Sequence, residues 1–322
     1  MGKLKITQEN INLLSTVEWL TYTIYDLAEK DDRVIVLTAD LGTSNKFVQI
    51  SEFTPRRYFN VGIAEQNLVG VSSGMALSGL IPFVAAFSGI LTKRALEQIY
   101  LDICYQNLNV KLIGTHAGLS FSTAGCTHFS NEDIAIMRTI PNLIVLSPAD
   151  GPEISKAVTE AYKHNGPVYI RINRGIDKIV NTDINYSYKI GKAITLKEGN
   201  DLTIISTGRT VYNSLEAAKI VKNKTGASVR VINMHTIKPI DVEAISNASK
   251  ETGKILTVED HTILGGLGTV VSEVIAENRL VCSLKRIGIK DTFAPIGSTH
   301  DDIMEILGYG INGIAEEVIK LL

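Results

Sequence analysis

Cysteine is scarce. The 322 residues hold three, Cys104, Cys126 and Cys282, odd in number and far apart, with no C-x-x-C pair. That excludes a disulfide framework and a cysteine zinc site, and a reducing cytoplasm is the expected compartment. An excess of one charge is also missing: 32 basic against 34 acidic side chains leave a net charge of −2. Nothing in that balance draws a polyanion, so nucleic acid is not an expected partner. The N-terminus, MGKLKITQEN, lacks the apolar stretch of a signal peptide. Ile6 stands where a myristoylation signal after Gly2 requires Ser or Thr. The charge-free stretch between Glu65 and Lys93 is long enough to span a bilayer, but Gly70, Gly74, Gly79, Pro82 and Gly89 interrupt it. Ser78-Gly79-Leu80-Ile81-Pro82 breaks it into helix, turn and strand, so no membrane is expected.

What remains is globular material, 45% hydrophobic and 20% charged, enough for two domains of about 100–200 residues each. Short β-branched runs alternate with helical stretches. RVIVLTAD (33–40), IPFVAAF (81–87), VKLIGTH (110–116), LIVLSPAD (143–150) and PVYIRI (167–172) read as strands. Helices are expected over Glu65–Ser78, Leu91–Tyr105 and Pro152–His164. A polar segment without periodicity, Asn173 to Lys189, holds Asn181, Thr182, Asp183, Asn185 and Ser187 and marks a boundary. Domains are therefore expected over 1–180 and 190–322. The second half repeats the alternation: strands at 201–207, 228–233, 254–260 and 283–289, a helix ending at Lys222, one from Gly268, and two short helices at the end. Continuous apolar strands between helices predict an α/β fold of two doubly wound domains with mainly parallel sheets. In such sheets ligands sit beyond the carboxyl ends of strands. The polar residues there are Asp40 to Asn45, Thr115-His116, Asp150, Arg174 and Glu259-Asp260-His261.

No P-loop lysine and no H-E-x-x-H motif occurs. Gly265-Gly266-Leu267-Gly268 follows a strand but does not match G-x-G-x-x-G, and it reads as a tight turn into a helix. Glu65, in the first turn of its helix, could merely complement the helix dipole.

The run FNVGIAEQNLVGVSSGMALSG resembles the pyrimidine-binding domain of transketolases and deoxyxylulose-phosphate synthases, which use thiamine diphosphate. The likeness continues through TADLGTSN (38–45), PFVAAFSGILTKRALEQI, GTHAGLSFSTAGCTHFSNEDIA (114–135), LIVLSPADGPE (143–153), YIRINRG (169–175) and VEDHTILGGLG (258–268). It thus spans essentially the whole chain, but only the last two domains of a transketolase. The family's first domain binds the diphosphate and Mg²⁺ through a GDG motif, and no GDG occurs here. The resemblance therefore implies the C-terminal subunit of a split transketolase. A GDG-bearing N-terminal subunit is the expected partner, two copies of each chain forming a heterotetramer, with the Mg²⁺ ligands on that partner and none here.

The resemblance also implies roles. Glu65 matches the glutamate that hydrogen-bonds N1′ of the aminopyrimidine, favouring the tautomer that takes the proton from the thiazolium carbon. The charge-free stretch after Glu65 suggests a poorly hydrated pocket around that bond. Phe87 matches an aromatic of the pyrimidine pocket, a role compatible with simple core packing. Ile90 stands where a second aromatic is usual. Asp40 matches an aspartate near the cofactor, with a turn or N-cap role equally open. Ser44, His116 and Arg174 match positions that grip the terminal phosphate of sugar phosphates, for which hydroxyl, imidazole and guanidinium donors are suited. His128 matches the histidine of G-x-D-G-x-T-H-Q beside the reacting carbons. In that motif Ala124 replaces the aspartate that contacts an acceptor hydroxyl, and Phe129 replaces the glutamine, adding apolar surface to the space that Ala124 opens. Cys126 reads as a small filler. The implied activity is transfer of a two-carbon ketol unit from an anionic ketose to an aldose. Two alternatives stand: the β subunit of a 2-oxo-acid dehydrogenase, and a non-catalytic binding module of the same fold.

Overall fold

A computed structural model describes residues 5–7, 9–181, 183 and 186–322; Gly2, Thr182 and Asn185, named above, lie outside them. The first half contributes helix α1 (Thr16–Lys30), strand β1 (Val34–Thr38), α2 (Val48–Phe53), β2 (Tyr58–Asn60), α3 (Glu65–Leu77), β3 (Ile81–Phe87) and α4 (Ser88–Arg94). α5 (Leu96–Gln98), β4 (Lys111–Thr115), α6 (Asp133–Arg138), β5 (Ile144–Leu146), α7 (Gly151–Lys163) and β6 (Val168–Arg171) follow. The second half adds β7 (Ile194–Lys197), β8 (Leu202–Ser206), α8 (Thr210–Thr225), β9 (Val229–Asn233), β10 (Thr236–Lys238), α9 (Val242–Thr252) and β11 (Lys254–Thr262). It ends with α10 (Leu267–Glu277), β12 (Ser283–Ile289), α11 (His300–Ile306) and α12 (Ile311–Leu321).

The strands form two sheets, ordered β10-β5-β6-β4-β3-β1-β2 and β12-β11-β8-β9-β7. All pairs are parallel except the edge pairs β10–β5 and β7–β9. This is the α/β arrangement with mainly parallel sheets that the apolar runs predict. β1, β3, β4, β6 and β8 are buried along their whole length because helices cover both faces. One difference in topology is that β10, from the second half of the sequence, closes an edge of the first sheet, with Thr236 opposite Leu146. One of three apolar clusters accordingly runs from Leu37, Leu68 and Leu112 to Ile205, Ile232 and Ile255, across both sheets.

The charge-free stretch is α3, a turn and β3, as its Gly and Pro content implies. Among the described residues no helix is long and apolar enough to cross a membrane. The helix expected over Leu91–Tyr105 begins earlier and is broken: α4 stops at Arg94, and a π-helical turn follows from Ile99 to Tyr105. A π turn absorbs one extra residue within a helical run, a local insertion that a 3.6-residue period does not reveal.

Candidate active site

The loop after β1 and the approach to α3 are held by one side chain, Asn60. Its Oδ1 accepts from the Asp40 N–H at 2.9 Å and the Gly62 N–H at 3.0 Å, and its Nδ2 donates to Asp40 Oδ1 at 3.1 Å. Asp40 itself sits at φ 58°, a left-handed conformation that non-glycine residues adopt at a cost. The chain then enters α3 at Glu65, whose side chain is 7% exposed at the positive end of the helix. One charge from beyond the charge-free stretch reaches it. Arg94 Nη1 comes within 3.3 Å of Oε2 and 3.5 Å of Oε1, a loose pairing from the far end of α4. Ile90 lies one helical turn before Arg94 on the same helix, so the two share a face.

α4 starts directly at the end of β3, where Phe87 is buried. Its ring centroid is 4.4 Å from that of His116 and 5.7 Å from that of His128. Thus Phe87, His116 and His128, far apart in sequence, meet at the carboxyl ends of β3 and β4. His116 also has a left-handed backbone, φ 57°. Burial pushes its imidazole down to about 4, and the neighbouring Arg174 and His128 add to this. It is therefore neutral near pH 7, and its Nδ1 is buried with no hydrogen-bond partner among the described residues. His128 Nδ1 lies 2.9 Å from Thr127 Oγ1. Ser44 is exposed on the loop after β1. The next residue, Asn45, accepts from Thr115 Oγ1 at 2.9 Å, which anchors that loop beside His116. Arg174 follows Asn173, whose carbonyl accepts from Thr16 Oγ1 at 2.7 Å, so α1 fixes its position.

The segment from His116 to Ser130 is closed at its base by paired Gly118 and Ser130 backbones, 3.1 and 3.0 Å. Gly118 must be glycine: at φ 59° a Cβ would lie 1.8 Å from Asp260 Oδ2. Asp260, from β11, accepts from the Leu119 N–H at 3.2 Å, His300 Nε2 at 2.9 Å and the Tyr309 hydroxyl at 3.0 Å. The second lobe thereby braces the loop. Below it, Ser88 Oγ, Ser130 Oγ, Tyr169 and Asp133 form a buried network, and Arg171 pairs with Asp133 at 2.9 Å.

Two expectations fail here. Phe129 is buried and packs with Leu119, Leu256 and Ile287 in the core of the second lobe, so it adds no surface to the site. Cys126 is exposed and fills nothing. The aromatic that does enter the site is Phe121, which no periodicity in the sequence singles out. Its ring lies 5.9 Å from Phe87, 5.4 Å from His116 and 5.2 Å from His128, and the Arg174 guanidinium stands 4.5 Å over it. Arg94 and Asn60 were likewise invisible as site residues, since only folding brings them to Glu65 and Asp40.

Residues 13–176 match the pyrimidine-binding domain of transketolase, and residues 191–314 match the transketolase C-terminal domain. The chain belongs to the transketolase family. It is 37% identical over 306 residues to the 6-deoxy-6-sulfo-D-fructose transketolase subunit SqwH of Clostridium sp. (strain MSTE9), covering 94% of this chain and 92% of that one. It is 36% identical over 311 residues to an apulose-4-phosphate transketolase subunit of Phocaeicola vulgatus, covering 97% and 98%. A solved split-gene transketolase, an inactive beta4 tetramer, superposes with a TM-score of 0.87 at 36% identity, over 96% of this chain and 98% of that one. This transketolase-family C-terminal subunit thus shares its two-lobed plan with proteins of nearly its own length.

The transketolase family depends on thiamine diphosphate. The residues present fit its aminopyrimidine end: a buried carboxylate at Glu65, met among the described residues only by a long contact to Arg94, retains capacity to accept an N–H, and buried Phe87 offers an apolar wall. Among the described residues no group of three or more His, Cys, Asp or Glu side chains is placed to hold a metal ion.

Proposed function

We propose that this chain is the C-terminal subunit of a two-chain transketolase, transferring a two-carbon ketol unit from a ketose bearing a phosphate or sulfonate to an aldose. The observation that carries the reading is the site itself. A buried carboxylate at a helix start is linked through α4, whose last residue Arg94 reaches it, to a cluster in which two histidines and an arginine gather around Phe87 and Phe121 at strand ends. The relatives named for a sulfo-sugar and a sugar phosphate support an anionic substrate. The reading divides the chain into a pyrimidine-binding domain over 1–180 and a C-terminal domain over 190–322. The diphosphate and Mg²⁺ are assigned to a GDG-bearing N-terminal partner, two copies of each chain, in the cytoplasm.

Glu65 would hold a proton at N1′ of the aminopyrimidine, with Phe87 and Ile90 against the ring and Asp40 nearby. When bound, the cofactor supplies the acidic ring carbon and the electron sink for breaking the ketose carbon–carbon bond. The carboxylate has acceptor capacity left for the ring beside its loose contact with Arg94. His116, neutral near pH 7, serves as a hydrogen-bond donor rather than as a cation. Arg174 then supplies the positive charge for the oxyanion, with Ser44 adding a hydroxyl donor and His128 facing the reacting carbons.

The test is cofactor-dependent consumption of a ketose phosphate by this chain mixed with its N-terminal partner. Glu65→Ala should keep the fold, judged by circular dichroism, and lower turnover by at least ~10²–10⁴-fold. Near-wild-type turnover in that variant, with cofactor bound, would sink the reading. Turnover only of 2-oxo acids would instead favour the dehydrogenase assignment.

A further inference from the structure

Phe121 lies at the centre of the aromatic and cationic cluster, yet the family roles assign it nothing. It sits within a loop fixed at both ends: Gly118 and Ser130 close the base, Ser120 Oγ donates to the Ala117 carbonyl at 2.6 Å, and the Ala124 N–H donates to the Phe121 carbonyl at 2.9 Å. The second lobe holds the outer side, with Ser122 Oγ 3.4 Å from the Ser298 carbonyl. The ring is thus presented by a braced loop, with Arg174 stacked 4.5 Å above its centroid. Among the described residues no carboxylate or carbonyl pairs with that guanidinium.

We propose that Phe121 is a specificity-determining residue that pre-orders Arg174 for an oxyanion. A guanidinium lying on an aromatic face is held by cation–π attraction while its N–H edges stay free to fork onto a tetrahedral anion. A carboxylate partner in the same place would use those edges and cancel the charge. An arginine free in solvent would lose rotamer freedom on binding, which the ring has already removed. The same ring meets His128 edge-on and lies tilted against His116, so its replacement by an aliphatic side chain affects the anion-binding groups together. This inference rests on the reading of Arg174 as the oxyanion contact, and its test separates the two.

The probe is inorganic phosphate, titrated into the full chain and followed by the ring signals of His116 and His128 in NMR and by the thermal midpoint. Phe121→Leu should weaken phosphate roughly three- to tenfold, the loss of a partly exposed cation–π contact. Phe121→Tyr, which keeps the ring, should stay within about twofold of wild type for the same reason. Phe121→Met is a second aliphatic variant should leucine disturb the fold. In the complex with the partner, Phe121→Leu should raise KM for a phosphorylated aldose by a larger factor than KM for the same aldose without phosphate. Arg174→Met tests the underlying reading: if it leaves phosphate affinity unchanged, the oxyanion assignment fails. If Arg174→Met weakens phosphate but both aliphatic variants at 121 bind like wild type, the role of Phe121 is overturned and the assignment stands. Equal weakening in Phe121→Tyr and Phe121→Leu would also overturn it, because the ring would then not be what matters.

Discussion

Asp260→Ala removes the acceptor that ties the two lobes together at the site. The Asp260 carboxylate is buried and accepts from His300 Nε2, the Tyr309 hydroxyl and the Leu119 N–H at 2.9, 3.0 and 3.2 Å. Alanine leaves three donors without an acceptor where water has little access. One orphaned buried donor costs ~1–3 kcal/mol, and breaking a buried charged pair costs ~3–5 kcal/mol. The three donors share one carboxylate, so these costs overlap rather than add, and about 4 kcal/mol is expected. At ~1.5 °C per kcal/mol for a chain of this size, the thermal midpoint should fall by about 6 °C.

The assay is thermal and urea unfolding by circular dichroism, with two comparisons. Asp26→Ala breaks the exposed Lys30–Asp26 pair, 2.6 Å, and should cost at most about 1 kcal/mol. Gly118→Ala drives a Cβ into Asp260 Oδ2 and should be severe alone. In the Asp260→Ala background the carboxylate clash is gone; what remains is the left-handed strain, ~1–2 kcal/mol, and a tight 3.0 Å approach to the backbone carbonyl of residue 260. The double variant should therefore be more stable than the sum of the two losses predicts. A loss under 1 kcal/mol for Asp260→Ala, or strict additivity of the pair, would refute the idea that this carboxylate braces the loop.

Three further outcomes are expected. Ala124→Asp should shift kcat/KM toward a 2-hydroxy aldose by ~1–3 kcal/mol if the new carboxylate accepts one good hydrogen bond, and an unchanged ratio for two aldehydes differing at that carbon would exclude position 124 from acceptor choice. The chain alone should bind thiamine diphosphate weakly and gain tight, Mg²⁺-dependent binding only with its partner, so tight retention by the isolated chain in calorimetry would contradict the division of the site. The urea midpoint should stay nearly level from pH 7 to about 4.5 and fall below about 3.8, for reasons of sign. Burial holds His116 and His235 down to about 4, a contribution lost as pH falls from 6.5, while it pushes Glu153 and Glu259 up to about 7, a contribution lost as pH rises from 4.5. These oppose each other. Asp260, held well below the ordinary 3.8 against its burial by His300, Arg171 and the Leu119 N–H, loses its contribution only under stronger acid. A steep fall between pH 7 and 5 would contradict this balance.

The strands of both lobes were legible because burial on both faces leaves an uninterrupted apolar run; β3 occupies the predicted 81–87. α1 was not legible. Its sequence, TVEWLTYTIYDLAEK, buries ten of fifteen residues, so its polar face is narrow, with Tyr22 standing between Glu18 and Asp26 on it. The one local signal was the Ser15–Glu18 capping box, where the Glu18 carboxylate accepts from the Ser15 N–H at 2.8 Å. β10 is three residues long and pairs across the lobes, which no local pattern records. Among the candidate site residues, Phe87, His116 and His128 carry a spaced motif, and folding brings them together. Phe121, Arg94 and Asn60 act through contacts that exist only once loops close, and nothing in their own neighbourhoods distinguishes them from ordinary loop or helix residues.

The polar tip of β11 shows why a rule about sheets can point to the right residues for the wrong task. Glu259, Asp260 and His261 lie at a carboxyl strand end, where open α/β sheets receive ligands. Each is already engaged within the chain. The Glu259 carboxylate accepts from the Leu267 and Gly268 N–H groups at 2.7 and 2.9 Å, occupying the anion site at the start of α10. Gly266 permits this, since a Cβ there would lie 1.9 Å from Glu259 Oε2. His261 Nε2 accepts from the Ala135 N–H at 3.3 Å, and Asp260 holds the Gly118 loop. The second lobe thus fills its own crevice with its own carboxylate and turns the neighbouring side chains toward the first lobe. Substitutions at Asp260 should therefore act on the loop that carries His116, Phe121 and His128 and those at His261 on α6, while Glu259 should affect the stability of α10. The distinction follows from hydrogen-bond partners, which the spacing of the motif does not encode.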